Sequence, residues 1–354
     1  MRVVTHNVNG IRAAMRRGFR EWLDATDADV VALQEVRCRV GDLPDGAFGD
    51  YHVTYEPGSL PGRNGVALLT RQPPAKVFRW HDDGPDELGS GEPTLFSQVR
   101  PELTRRHPDR VPDGETGARS TPNAVEEPST GVHRFAHEGR LVGVELADAP
   151  LTVVSVYVPK GGVPLEVAPP AGDREGFTPE HNQARYERKM AFLKRFSDEL
   201  DAMHAAAEAS GRHLLVLGDY NIAHGPADIK NWRTNLHSEG FLPAERAWLD
   251  GTIGRSSSAG RLDGKRILAP SMEWADAQRP LVDVVRALHP EEDGPYSWWS
   301  WRGQSFANDV GWRIDYHLAS PALAARAVTA HVDRAPDYDH RISDHPPVVV
   351  EYDI

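Results

Sequence analysis

Leu214-Leu215-Val216-Leu217-Gly218-Asp219-Tyr220-Asn221 joins an apolar run to an acid and an amide through a single glycine. Four aliphatic residues bounded by Gly read as a short buried strand. Gly218 lets the backbone turn where that strand ends. Asp219 and Asn221 are two apart, so on an extended chain both point to one face. An acid beside an amide suits one task. The carboxylate holds and deprotonates water, while the amide donates to a non-bridging phosphate oxygen. An Asx-type turn is the structural alternative.

Upstream, Tyr186, Met190, Leu193, Phe196, Leu200 and Met203 recur every three or four residues. That spacing predicts a helix over 179–210, capped by Thr178, with Pro179 at its first position and Gly211 at its end. Strands are expected at 3–6, 30–33, 140–146, 151–158, 213–217, 314–319 and 348–352, with a hairpin pairing 51–55 and 65–70. Shorter helices are expected over 17–26, 242–249 and 281–288. Many strands are neighbours in sequence and helices are few. The pattern therefore favours an α+β sandwich of two mixed sheets face to face with helices outside, over simple βαβ winding.

The 354 residues carry a formal net charge of −12 and one cysteine. Cys38 excludes a disulfide framework within the chain and any all-cysteine zinc site, and reads as a small buried hydrophobe. No apolar stretch approaches the ~20 residues of a membrane span, and Met1-Arg2 opens directly into strand-like sequence. A soluble cytoplasmic protein is expected. The acidity argues weakly against a nucleic-acid ligand, but it is unevenly spread. Residues 82–131 hold eleven acids and five basic residues, a net −6 and half of the total. Prolines break every candidate element there, so the segment reads as an irregular acidic insertion into one domain spanning 1–354. It is either a tolerated surface loop or a lid.

Five further apolar runs deliver chemistry-bearing residues. Val3 to His6 leads to Asn7, which can orient a phosphate or reach a metal. Val30 to Leu33 leads to Gln34 and Glu35, a candidate ligand for a hard divalent cation. The strand from Leu151 leads to Tyr157, a phenol at the rim with Lys160 three residues on. Trp312-Arg313-Ile314 leads to Asp315. Ser343-Asp344-His345 precedes the run to Val350 and joins an acid to an imidazole, a group that titrates at about pH 6.5. Asp315 is the natural carboxylate to orient His345 and hold it charged. The loop from Asp228 to Trp232 offers the Asn231 amide and a cation for backbone phosphates. Trp298, Trp299, Trp301, Trp312 and Ile314 form either core or a pocket for an extruded sugar or base.

Together these residues carry a likeness. Asn7-Val8-Asn9-Gly10-Ile11-Arg12, Leu33-Gln34-Glu35, Tyr157-Val158-Pro159, Gly218-Asp219-Tyr220-Asn221, Phe241 to Arg246, Trp312 to Tyr316 and Ser343-Asp344-His345 resemble the exodeoxyribonuclease III and apurinic/apyrimidinic endonuclease family, within the endonuclease/exonuclease/phosphatase superfamily. The resemblance implies a four-layer αββα sandwich and Mg²⁺- or Mn²⁺-dependent hydrolysis of phosphodiesters 5′ to abasic sites, with 3′→5′ exonuclease and 3′-phosphatase activities. Its ligand would be double-stranded DNA, abasic or 3′-blocked, and a monomer is expected. The implied catalytic set is Asp219, His345, Asp315, Tyr157 and Asn221. The implied metal site draws on Glu35, Asn7, Asp219, Asn221, Asp344 and His345. Substrate contacts fall to Asn9, Lys160, Asn231, Trp298, Trp312 and Ile314. The acidic insertion departs from the family pattern. A phosphodiesterase for a lipid headgroup or inositol phosphate, and an inactive DNA-binding descendant, are the competing readings.

Overall fold

The computed structural model describes residues 1–60, 62–80, 135, 137–167, 178–254, 261–262, 265–266, 274 and 277–354. The acidic insertion at 82–131 lies outside them. In chain order the strands are β1 (Arg2–Asn7), β2 (Val30–Gln34), β3 (His52–Glu56), β4 (Val66–Thr70), β5 (Lys76–Arg79), β6 (Leu141–Glu145), β7 (Leu151–Tyr157), β8 (His213–Asp219), β9 (Arg261–Leu262), β10 (Lys265–Arg266), β11 (Val282–Asp283), β12 (Asp315–Ala319), β13 (Ala327–Val332) and β14 (Val348–Tyr352). The helices are α1 (Ile11–Met15), α2 (Phe19–Thr26), α3 (Pro179–Ala209), α4 (Pro243–Thr252), α5 (Val284–Leu288) and α6 (Pro321–Ala324).

Two six-stranded mixed sheets result, in the orders β13-β14-β1-β2-β4-β3 and β11-β12-β8-β7-β6-β5. Each holds one parallel pair, β1 with β2 and β7 with β8, among antiparallel neighbours. Side chains alternate along every central strand, yet the strands read as continuous apolar runs because both faces are covered. Val3, Val30, Ala32, Leu68, Val153, Leu215, Leu217 and Val350 meet between the sheets. Val4, Val31, Leu33, Ala67 and Leu69 face outward onto Phe19 and Leu23 of α2. Val154, Val156, Leu214 and Val216 face the other way, onto α3 and α4. Three apolar interfaces thus make four layers, helix–sheet–sheet–helix.

The long helix forms as its spacing predicts. The Thr178 hydroxyl accepts from the His181 amide, and Gly211, at φ +65°, ends it. Besides the short α1, α6, β9 and β10, which the sequence does not announce, three elements differ from expectation. The 281–288 segment is only half helical, since Val282 and Asp283 pair with β12 and Asp283 then caps α5. β5 and β13 are strands that the sequence does not announce. Both lie at sheet edges with partly exposed side chains, so neither shows a buried run.

Sheet pairing sets the functional ends side by side. Asp219 lies opposite Tyr157 across the parallel pair and opposite Asp315 across the antiparallel one. Gly218 makes this approach possible, because a Cβ there would stand 1.9 Å from the Val156 carbonyl. Two buried ionic clusters brace the loops beyond. Lys189 of α3 meets Glu245 of α4 at 2.7 Å, both fully buried, and donates to the Asn221 carbonyl at 2.8 Å. Asp228 accepts from Arg313 at 2.7 Å and Arg286 at 2.6 Å, and Arg313 also pairs with Asp283 at 2.8 Å. The Arg313 amide donates to the Asp228 carbonyl, which ties the loop at 225–229 to the segment carrying Trp312 and Ile314.

Burial alone would raise the Asp228 pKa, but Arg313 and Arg286 outweigh it and hold the carboxyl at about 2. A folded-state pKa below the unfolded value stabilises above about pH 4, and that stability is lost as pH falls through about 2. Asp228→Asn is expected to cost about 3–5 kcal/mol at neutral pH, because two buried guanidinium groups lose a charged partner. Urea unfolding should show the gap to wild type narrowing from about pH 5 downward. A gap that does not change with pH would exclude the charge as its source.

Candidate active site

The ends of β1, β2, β7, β8 and β12 and the turn before β14 open onto one cleft of about 360 Å³. Its lining includes Asn9, Glu35, Tyr157, Lys160, Asp219, Asn221, Trp298, Trp312, Ile314, Asp344 and His345. Asn7 lies just beneath it, fully buried. Four non-glycine residues around the cleft sit at left-handed φ: Asn9 (+46°), Glu35 (+53°), Arg37 (+52°) and Asn221 (+51°). Such conformations are uncommon and concentrate at functional sites. Here they bend the chain sharply at the strand ends, so that side chains from both sheets converge.

At the centre, Asn7 Nδ2 donates to Glu35 Oε1 at 3.1 Å and to Asp219 Oδ2 at 2.9 Å. His345 lies beyond Asp219. Its Nδ1 is 2.9 Å from Asp315 Oδ2, and its Nε2 is 3.8 Å from Asp219 Oδ2. Ser297 donates to the same Asp315 oxygen at 2.6 Å. Burial opposes charge on the imidazole, but Asp315 and Asp219 outweigh it and push the His345 pKa up. Burial, with Asp315 and Glu35 nearby, also pushes Asp219 up against the pull of His345. The site therefore favours an imidazolium beside an unusually basic aspartate. Burial likewise pushes the Tyr157 phenol far above its usual range, with Glu35 and Asp219 adding to the effect. Tyr157 is thus a neutral phenol at neutral pH, able to donate a hydrogen bond.

Asn221 is tied down within the chain. Its amide donates to the Val158 carbonyl at 2.9 Å and reaches Asp219 Oδ2 at 3.3 Å, while its backbone N–H donates to Asp219 Oδ1. As it stands, it orients Asp219, and contact with a phosphate requires it to exchange one of these partners. Asp344 accepts from Asn9 Nδ2 at 2.8 Å and from Trp298 Nε1 at 3.1 Å, so it organises the substrate-facing rim. Trp298 and Trp312 meet edge to face at 6.1 Å and, with Ile314, wall one side of the cleft over Ile229 and Phe241. Lys160 stands at the rim, its side chain 62% exposed. Asn231 is exposed and does not line the cleft; its carbonyl accepts from Thr234 and Asn235.

The donor set suits a hard divalent cation. Glu35 Oε2 is buried and accepts no hydrogen bond, though Arg37 ion-pairs with it. Glu35 and Asp219, held on either side of the Asn7 amide, are the oxygen donors such an ion takes. Asp219, Asp315 and His345 also bring one atom each within 4.8 Å of one another. That trio is the poorer choice, because an imidazolium bonded to Asp315 has no lone pair to give.

Five lining residues carry no signal that singled them out: Arg37, Asn235, Ser238, Glu239 and Gly240. Arg37 was within reach, being two residues past Glu35, the same spacing that pairs Asp219 with Asn221. The other four sit in an irregular loop without periodicity.

The sequence profile of the Endonuclease/Exonuclease/phosphatase family matches residues 4–345. An exodeoxyribonuclease of Bacillus subtilis (strain 168) is 26% identical over 349 residues, covering 98% of each chain. The DNA repair nuclease APEX1 of Danio rerio is 23% identical over 329 residues, covering 91% of this chain and 74% of that protein. An AP endonuclease from Archaeoglobus fulgidus has a similar fold, with a TM-score of 0.65 at 22% identity and full coverage of both chains. With nearly the whole chain matched, the protein belongs to the endonuclease/exonuclease/phosphatase family and stands with its exodeoxyribonucleases and AP endonucleases.

Proposed function

We propose that the protein is a divalent-metal-dependent DNA repair nuclease. It hydrolyses the phosphodiester 5′ to an abasic site in double-stranded DNA and also acts as a 3′→5′ exonuclease and 3′-phosphatase. One observation carries the reading. Glu35 and Asp219 are joined by Asn7, faced by the Asp315–His345 pair, and set in the cleft that Trp298, Trp312 and Ile314 wall. Carboxylates for a cation, a base, a charged donor and an apolar pocket then share one space.

Glu35 and Asp219 would hold a divalent cation, and that cation, when bound, would supply positive charge opposite the phosphoryl group. The remaining work falls to side chains. Asp219, oriented by the Asn7 amide and the Asn221 backbone N–H, takes a proton from the attacking water. The new P–O bond forms in line as the bond to the 3′ oxygen breaks. His345, held charged and aimed by Asp315, donates to a non-bridging oxygen as negative charge grows there. The Tyr157 phenol, which stays protonated, gives a second donor. The tryptophan wall suits a sugar that lacks its base, since an intact nucleotide would bring a base into the same volume.

Asp219→Asn is expected to lower the rate on an abasic-site duplex by about 10²–10⁴-fold, read by gel assay under single turnover. Wild-type cutting by that variant would remove Asp219 from the proton transfer. Chelation by EDTA should abolish cutting, and Mg²⁺ or Mn²⁺ should restore it. Run in parallel on abasic duplex, intact duplex and an inositol phosphate, the same assay tests the substrate class. Turnover of the inositol phosphate in preference to both duplexes would overturn the DNA reading. Trp312→Ala should reduce abasic-site cleavage more than exonuclease activity; equal losses on both would exclude the wall as a recognition element.

A further inference from the structure

A carboxylate stands where a polyanionic substrate would enter. Glu239 lines the cleft together with Asp219, Asn221 and Trp312, and its side chain is 25% exposed. Its two oxygens face two cations from separate elements. Oε1 is 3.4 Å from Lys160 Nζ, three residues past the end of β7. Oε2 is 3.3 Å from Arg185 Nη2 on α3.

The backbone keeps Glu239 there. Gly240, the next residue, has φ +85°, and a Cβ on it would come within 3.0 Å of the Asn221 carbonyl and 3.2 Å of the Trp312 ring. The Gly240 carbonyl accepts from the Ala223 amide at 2.8 Å. The loop backbone thus has little room to shift, so Glu239 can leave its two cations only by rotating its side chain.

A partly exposed ion pair of this length contributes little to folding. Its charge matters far more to an anionic ligand in the same cleft, where protein walls exclude solvent and focus the field. Lys160 lines the cleft itself, and Arg185 meets it through Glu239. Glu239 offsets part of the positive charge that Lys160 and Arg185 bring to it.

We infer that Lys160 and Arg185 form a second phosphate subsite, beside the reacting one, and that Glu239 is its internal counter-ion, displaced when a flanking backbone phosphate of the nucleic-acid strand binds. This rests on the nuclease reading above and adds to it a requirement. The substrate must be long enough to bring a neighbouring phosphate to the subsite, and Glu239 sets the affinity below what the two cations alone would give.

The test is duplex binding in EDTA, read by fluorescence anisotropy on a labelled oligonucleotide carrying a stable abasic analogue. Glu239→Gln keeps the side-chain shape and removes the charge. It should tighten binding about fivefold or more, the scale of one unit charge a few ångströms from a phosphate in water. It should also steepen the slope of log affinity against log salt by about 0.9, the signature of one more neutralised phosphate. Lys160→Gln and Arg185→Gln should each weaken binding and make that slope shallower by about the same amount. Melting temperatures confirm that each variant is folded. Unchanged affinity in Glu239→Gln, or tighter binding with the wild-type slope, would overturn the inference. So would wild-type binding by both Lys160→Gln and Arg185→Gln. A wild-type protein that cuts DNA while Glu239→Gln binds no tighter sinks this inference alone; one that neither binds nor cuts DNA sinks the nuclease reading with it.

Discussion

Two buried carboxylates of like charge, 184 residues apart in sequence, are held together through a single amide nitrogen, Asn7 Nδ2. Without compensation, such a pair would take up a proton or move apart. The compensation comes from three directions. Asn7 donates to both acids, Arg37 ion-pairs with Glu35, and His345 approaches Asp219 from the far side with Asp315 behind it. The charges left over are what a cation and a phosphoryl group would meet.

That balance needs strand ends placed to within a fraction of an ångström, and the sandwich supplies them. β1 and β2 end side by side in one sheet, and in the other β7 and β8 end where the antiparallel β12 begins at Asp315. Between them, Gln34 bridges the layers by donating to Ser155 at 3.1 Å while accepting from Thr5. This polar seam fixes the register of one sheet against the other just below the cleft, where an all-apolar contact would be less specific. The helical layers contribute through Lys189. It carries charge from α3 to the carbonyl of Asn221, so the packing of a remote helix bears directly on a loop that holds Asp219.

Much of this was legible in the chain. Buried strands announce themselves as aliphatic runs, and the residues that follow them must emerge at a sheet edge. Reading Glu35, Tyr157, Asp219 and Asp315 as strand-end residues therefore already placed them near rims. Which rims coincide depends on pairing between distant segments, and no local pattern encodes that. The edge strands β5 and β13 escaped notice because half-exposed strands lack a run. Lys189 was hidden for a different reason. It occupies the otherwise apolar buried face of α3, and its partner Glu245 lies 56 residues away. Arg37 is signalled in the sequence only by its spacing from Glu35, and Glu239, in an irregular loop, becomes visible only once the cleft is assembled. Asn231, expected as a nucleic-acid contact from a loop, is exposed and outside the cleft lining, and its carbonyl accepts from Thr234 and Asn235.

The left-handed backbone at Asn9, Glu35, Arg37 and Asn221 constrains how this rim can vary. Valine, isoleucine or threonine at any of the four would be disfavoured by the main chain before any loss of polar chemistry was felt. Glycine would satisfy the backbone and discard the side chain. Divergence at these corners is therefore filtered twice, by conformation and by chemistry, and β-branched residues fail the first filter most severely. A new specificity would arise more easily on the tryptophan wall or on the 235–239 loop than at the corners that carry the reaction.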